Sequence, residues 1–261
     1  MKWSSEEQLR IIFSLENDGE PPIAGELLSF RPRVGGISPD EAFLILIKEM
    51  SEMGLDDEFL VSGRKLSSSA MLKKIQRDGG WGRIETEELE FQYGVVANFE
   101  HSFVLIKEKK HIKKTQWHQL VKPFLGNSHF VQALVENSEY SYWQNVSDTM
   151  LYDLAGRDYS GLPLKSNGLP PPLDRLEIDV SSNPGHVCLQ NGFVEAIGLT
   201  MWLGKLFWEH AKSKQQAQLE RSNWIDYAEL DNGVIKIELK DFFVLESEKL
   251  LEFRAMLYGR C

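Results

Sequence analysis

The stretch from Trp224 to Leu239 constrains the fold of this chain most. Two strand-like runs, Trp224–Leu230 and Val234–Leu239, flank Asn232-Gly233. Those two residues tolerate the positive φ angles that a tight primed turn demands, so the segment reads as an antiparallel hairpin. In its second strand Ile235, Ile237 and Leu239 alternate with Lys236, Glu238 and Lys240. Successive strand residues point to opposite faces, so one face is apolar and the other charged. An antiparallel sheet covered on one side produces that pattern.

The rest of the chain mixes strands and helices without strict βαβ alternation. Leu9–Leu15, Phe59–Val61, Phe91–Asn98, Ser102–Lys107 and Phe130–Glu136 read as strands, the third and fourth forming a hairpin around Phe99-Glu100-His101. Asn17–Pro22 is a break. Ser38-Pro39-Asp40-Glu41 is a helix start, with a serine cap, proline at the first position and glutamate three after the cap. Ala42, Ile45, Leu46, Glu49, Met50 and Met53 continue at helical spacing to Gly54. Ser67 or Ser68 opens a second helix through Met71, Leu72 and Ile75, and Thr115–Leu125 is a third despite Pro123. Asn137–Pro172 holds loops and short elements, because an element-free loop of that length is uncommon. Leu176–Val180 reads as a strand. Phe193–Ala211 is apolar nearly all round and reads as one sandwiched helix. Ser247–Tyr258 is a closing helix with a core face of Leu250, Leu251, Phe253, Arg254 and Leu257.

These readings give an α+β fold with a mixed, largely antiparallel sheet packed with helices in two lobes. The lobes are an N-terminal α+β unit (1–137) and a C-terminal α+β unit (173–261), joined by an irregular connection (138–172) within one compact domain. At 261 residues the chain can bury an ample core. The longest purely apolar run is Ala42–Ile47, far short of the roughly 20 residues a membrane span needs. Two cysteines, Cys188 and Cys261, cannot build a disulfide framework, and free thiols in a cytoplasmic protein are expected.

Catalytic groupings are scarce. The histidines form no metal-ligand spacing, and His186-x-Cys188 lacks the second pair that structural zinc requires. There is no Gly-x-Ser-x-Gly elbow. Gly79-Gly80-Trp81-Gly82 lacks the Gly-Lys-Ser/Thr ending of a phosphate loop. One pattern has chemical content. Asp231 followed by Glu238-x-Lys240 on a strand matches metal-dependent nucleases, where two carboxylates hold a divalent cation and the lysine polarises the attacking water. The alternative is a solvated strand face beside an ordinary turn aspartate. No cofactor or metal is expected.

Net charge is −10 and blocky: residues 1–58 carry 13 acids against five bases, and 78–100 carry six against one. Such a surface repels nucleic acid and anionic membrane and attracts basic protein. The candidate binding residues are the acids of two helix–strand connections, Asp56, Asp57 and Glu58 in one and Glu85, Glu87, Glu88 and Glu90 in the other. Trp81 beside the second would be an aromatic anchor.

The order of elements resembles the Imm-fifty-two family of bacterial immunity proteins, which neutralise cognate restriction-endonuclease-like toxins of polymorphic and type VI secretion systems. The resemblance runs through most of 9–108 and 222–261. It is carried by the Leu9–Leu15 strand, the arginine-bearing turn Phe30-Arg31-Pro32-Arg33, Phe59-Leu60-Val61-Ser62-Gly63, Phe91-Gln92-Tyr93-Gly94, and Asn223-Trp224 at the hairpin. It implies a cytoplasmic, non-enzymatic protein that binds a basic nuclease-like toxin stoichiometrically. A metal-dependent nuclease using Asp231, Glu238 and Lys240, and a non-catalytic secretion-system adaptor, are the alternatives.

Overall fold

The computed structural model describes residues 6–15, 36–55, 58–109, 114–213, 215–240, 242 and 247–259. The expected Asn17–Pro22 break, the Phe30–Arg33 turn, Asp56, Asp57 and Cys261 lie outside the described residues.

The chain is α+β and is organised around one ten-stranded sheet, antiparallel at each pairing. Its first seven strands in chain order are β1 (Glu7–Ser14), β2 (Phe59–Val61), β3 (Arg64–Leu66), β4 (Ile84–Glu85), β5 (Leu89–Val96), β6 (His101–Glu108) and β7 (Phe130–Asn137). Two small hairpins outside it come next: β8 (Leu164–Ser166) with β9 (Leu176–Ile178), and β10 (Cys188–Gln190) with β11 (Phe193–Glu195). The large sheet is completed by β12 (Thr200–Leu203), β13 (Ile225–Glu229) and β14 (Ile235–Leu239), in the spatial order β13-β14-β12-β7-β1-β6-β5-β4-β2-β3. One continuous sheet therefore takes strands from both ends of the chain.

Strand alternation supplies two cores. Leu9, Ile11 and Phe13 of β1 point to one face, under helices α1 (Pro39–Glu52), α2 (Ser68–Asp78) and α3 (Lys114–Val121). Ile12 points to the other face, which is covered over β7, β12 and β14 by α6 (Lys205–Ala211), α7 (Gln216–Arg221) and α8 (Ser247–Tyr258). The helix starts follow local chemistry. Ser38 Oγ accepts from Glu41 N at 3.2 Å with Pro39 in the first turn. Ser67 Oγ accepts from Ala70 N and caps α2. Pro123 ends α3 in a short 3₁₀ turn, Lys122–Phe124, because it cannot donate to the helical ladder.

Three expectations are corrected. Phe193–Ala211 is not one helix but β11, the central strand β12, and the short helix α6. In β12, Trp202 faces one core while Met201 and Leu203 face the other, so a strand buried on both sides mimics the profile of a sandwiched helix. Gly198 and Gly204 bracket it where the chain meets β7: a Cβ would come within 2.7 Å of Val135 O at the first and 2.8 Å of Phe130 O at the second. Leu176–Val180 contributes only the three residues of β9, paired with β8 rather than with the main sheet. On α8, Leu250, Phe253 and Leu257 are buried as expected, whereas Leu251 is exposed.

The Asn232-Gly233 turn also takes a different form. Gly233 N donates to Leu230 O and Leu230 N to Val234 O, both at 2.9 Å. Within that turn only Gly233 has a positive φ, 73°. The loop is therefore a three-residue turn ending in a left-handed glycine, with Asn232 at negative φ. Asn232 is held instead by its side chain, whose Nδ2 donates to Leu125 O at 2.9 Å.

Candidate protein-interaction surface

The acidic connection at 85–90 is the turn between β4 and β5, and the fold supplies it with cations. Lys109, just past β6, places Nζ 2.9 Å from Glu85 Oε2 and 2.9 Å from Thr86 O. Arg83 reaches Glu90 at 2.8 Å and Glu85 at 3.4 Å. The hydrogen bond from Lys109 holds the Glu85 carboxyl below its usual range. Glu87 is exposed, and Glu88 is half-buried with its backbone carbonyl taken by Lys109 N at 2.7 Å. Glu58 is exposed and bonds Lys65 Nζ at 2.6 Å. Glu85 and Glu90 thus carry internal partners.

Trp81 is not an exposed anchor. It is 5 % accessible, with Phe43 at 5.6 Å and Tyr93 at 5.2 Å between ring centroids. The turn after α2 folds it into the core beneath α1, where burial of a large aromatic contributes more than exposure would.

The three residues of the nuclease pattern are not assembled. Asp231 is exposed in the hairpin turn, at the end of β14 away from Lys240. Glu238 lies 3.5 Å from Lys236, and Lys240 pairs with Asp226 at 2.8 Å on the neighbouring strand. Among the described residues no cluster of three His, Cys, Asp or Glu could hold a metal ion.

A groove crosses the sheet face over β1 and β6, with cavities of about 530 and 260 Å³ that share Arg10. Its cations are already matched. Arg10 lies 3.2 Å from buried Glu136, which also accepts from Gln8 and Ser141, and Lys107 lies 3.6 Å from Glu6.

The unusual surface is elsewhere, on the segment between β7 and β10. Helix α4 (Ser138–Asn145) starts under an Asn137 cap and leads to α5 (Thr149–Leu154), capped by Asp148. With the β8–β9 hairpin they enclose a small satellite core of Val146, Tyr152, Ile178 and Val180, joined by Trp143 and Tyr159. Arg157 closes it, stacked 4.1 Å over Trp143 and 2.8 Å from Glu139. Asn145 ties the unit down by donating to Gly185 O and accepting from Val187 N at 2.7 Å. The hairpin base is pinned by Asp179, whose pKa is lowered to about 2 by the Ser181 hydroxyl and then by Lys165 at 3.0 Å.

So small a core cannot bury the apolar residues this segment carries. Of the 13 large hydrophobic side chains exposed among the described residues, eight fall between Met150 and Leu176. Met150, Leu151 and Leu154 form a ridge on α5, with Leu154 78 % accessible. Leu164 and Leu176 stand out from the hairpin, and Leu162, Leu169 and Leu173 from its loops. Concentrated exposed apolar surface on a folded protein marks an interaction site. Residues 138–180 also carry seven carboxylates against three bases. All three bases are engaged, Arg157 with Glu139, Lys165 with Asp179, and Arg175 with Glu177 and Asp148. Asp153, Asp158 and Asp174 face solvent.

Reading the sequence missed this surface because its interest went to charge and Trp. A signal was present: eight large apolar residues, five of them around the Leu169-Pro170-Pro171-Pro172-Leu173 run and its flanks, in a segment too broken to form a core of its own. No helix among the described residues is long and apolar enough to cross a membrane. A scan against protein-family models, a search of curated proteins and a search of solved structures each found no match.

Proposed function

We propose that this protein is an immunity protein that binds and neutralises a cognate secreted antibacterial toxin, a basic nuclease-like protein, by direct stoichiometric contact in the cytoplasm. The concentration of exposed leucine and methionine between Met150 and Leu176 carries the reading, because that surface suits a macromolecular partner. The excess of carboxylates around it complements the Lys and Arg that a nucleic-acid-binding toxin displays. The resemblance to immunity proteins supports the same reading, and its seat moves from the acidic turn at 85–90 to the apolar segment. The separation of Asp231 from Lys240 along β14 counts against the nuclease alternative.

The test is co-expression of the chain with the product of the gene adjacent to its own. Restored growth and a 1:1 complex by light scattering are expected. Absence of both rescue and complex sinks the proposal. So does cleavage of DNA or RNA with Mg²⁺ by the purified protein, if a folded Glu238→Ala variant loses it.

A further inference from the structure

The loop that joins β8 to β9 is exposed and yet firmly built. From Ser160 to Leu176 every residue but Asn167 is exposed, and Asn167 is half-buried. Its side chain spans the loop: Nδ2 donates to Leu173 O at 2.9 Å, and Oδ1 accepts from Leu169 N and Arg175 N, each at 3.2 Å. Its backbone N–H bonds Arg175 O at 3.0 Å. Ser166 Oγ accepts from Gly168 N at 3.1 Å, and Leu173 N donates to Pro170 O at 3.0 Å. Three successive prolines remove backbone freedom that the loop would otherwise lose on binding. The outcome is an outward-facing Leu169-Pro170-Pro171-Pro172-Leu173 tip held in one shape by a residue behind it.

We infer that this braced tip is the element that enters the partner, seating Leu169 and Leu173 in an apolar cleft whose rim carries Lys or Arg, with Asn167 as its positioning residue. The inference rests on the immunity reading and names the element through which it works. Preorganisation is the reason for the design: a loop already in its bound shape avoids the ordering cost that a flexible apolar loop would meet at the interface. Charge selects the occupant. Asp174 lies in the loop, and Asp153 and Asp158 are exposed in the α5 region of the same unit. A second copy of this chain would set like charges against one another, whereas a basic cleft would neutralise them.

The experiment measures binding kinetics of the whole chain with the product of the adjacent gene. Leu173→Ser should raise Kd at least tenfold, mainly through faster dissociation. Asn167→Ala should weaken binding while the melting curve stays unchanged, since the satellite core does not include it. Asn167→Asp keeps both acceptor contacts and should recover part of the loss. Hydrogen exchange at Leu169 and Arg175 should quicken in Asn167→Ala and not in Leu173→Ser. Wild-type affinity in both Leu169→Ser and Leu173→Ser overturns the inference and leaves the immunity reading standing. Concentration-dependent dimerisation that Leu173→Ser abolishes overturns it in favour of self-association. Failure of the unaltered chain to bind removes the immunity reading and this one with it.

Discussion

Lys109 Nζ lies 2.9 Å from Glu85 Oε2, and Arg83 reaches both that carboxylate and Glu90 at the same β4–β5 turn. The pairing makes this turn a partly neutralised corner of the sheet rather than a free acidic face. Lys109 is brought there by the register of β5 and β6, in which Leu89 faces Glu108. Glu85→Gln should therefore change stability by no more than about 1 kcal/mol, the range of exposed ion pairs. Association with the proposed toxin partner should keep its wild-type rate. A marked slowing of association in this variant would return the interface to this turn.

Trp81→Ala tests the other half of the same corner. Removing a buried Trp costs roughly 3–5 kcal/mol through lost transfer energy and the cavity left behind. Urea denaturation should show that loss, together with a lower melting temperature. A variant as stable as the parent would contradict the packing against Phe43 and Tyr93.

Gly233→Val should destabilise the hairpin. The position needs φ of 73°, where a β-branched side chain is strained by about 1–2 kcal/mol. Gly233→Asn should lose less, because Asn tolerates the left-handed region. Equal melting temperatures for Val, Asn and wild type would place the turn at other residues.

Glu49 gives a pH-dependent prediction. It is 7 % accessible on the inner side of α1, and its pKa is raised first by burial and then by Glu52. A carboxyl with a raised folded-state pKa favours folding when protonated, and that contribution is lost as pH rises through the raised value. Glu49→Gln should therefore be more stable than the parent at neutral pH. The gap should close as the medium is acidified below the ordinary glutamate range. A gain that persists undiminished in acid would mean that shape, not charge, is responsible.

Association should be steered by the acids of the apolar unit. Reversal of Asp153, Asp158 and Asp174 to Lys should slow binding of the proposed toxin partner at low salt, within the 10–10³-fold span of electrostatic steering. Dissociation should change much less, and added salt should shrink the difference from wild type. An unaltered association rate at low salt would show that these carboxylates only confer solubility.

Features determined by neighbours in the chain were legible in the sequence. Ser38 with Pro39, Ser67 ahead of α2 and Gly233 in its turn act within a few residues, so the amino-acid order alone decides them, whereas the helix expected to run through Pro123 to Leu125 stops at Val121. The antiparallel character followed from the alternation at Ile235, Ile237 and Leu239. What only the tertiary structure decided depends on groups far apart in the chain. Trp202 and Met201 are apolar whether their segment is a helix or a strand, and only β7 and β14 on either side make it a strand. Glu85 looks like free charge until Lys109, 24 positions on, folds over it. Trp81 looks like an anchor until Phe43 and Tyr93 enclose it. The leucines between Leu151 and Leu176 look like core until the satellite unit proves too small to bury them. Burial is a property of the whole packed molecule, and a side chain's chemistry cannot report whether enough other surface exists to cover it.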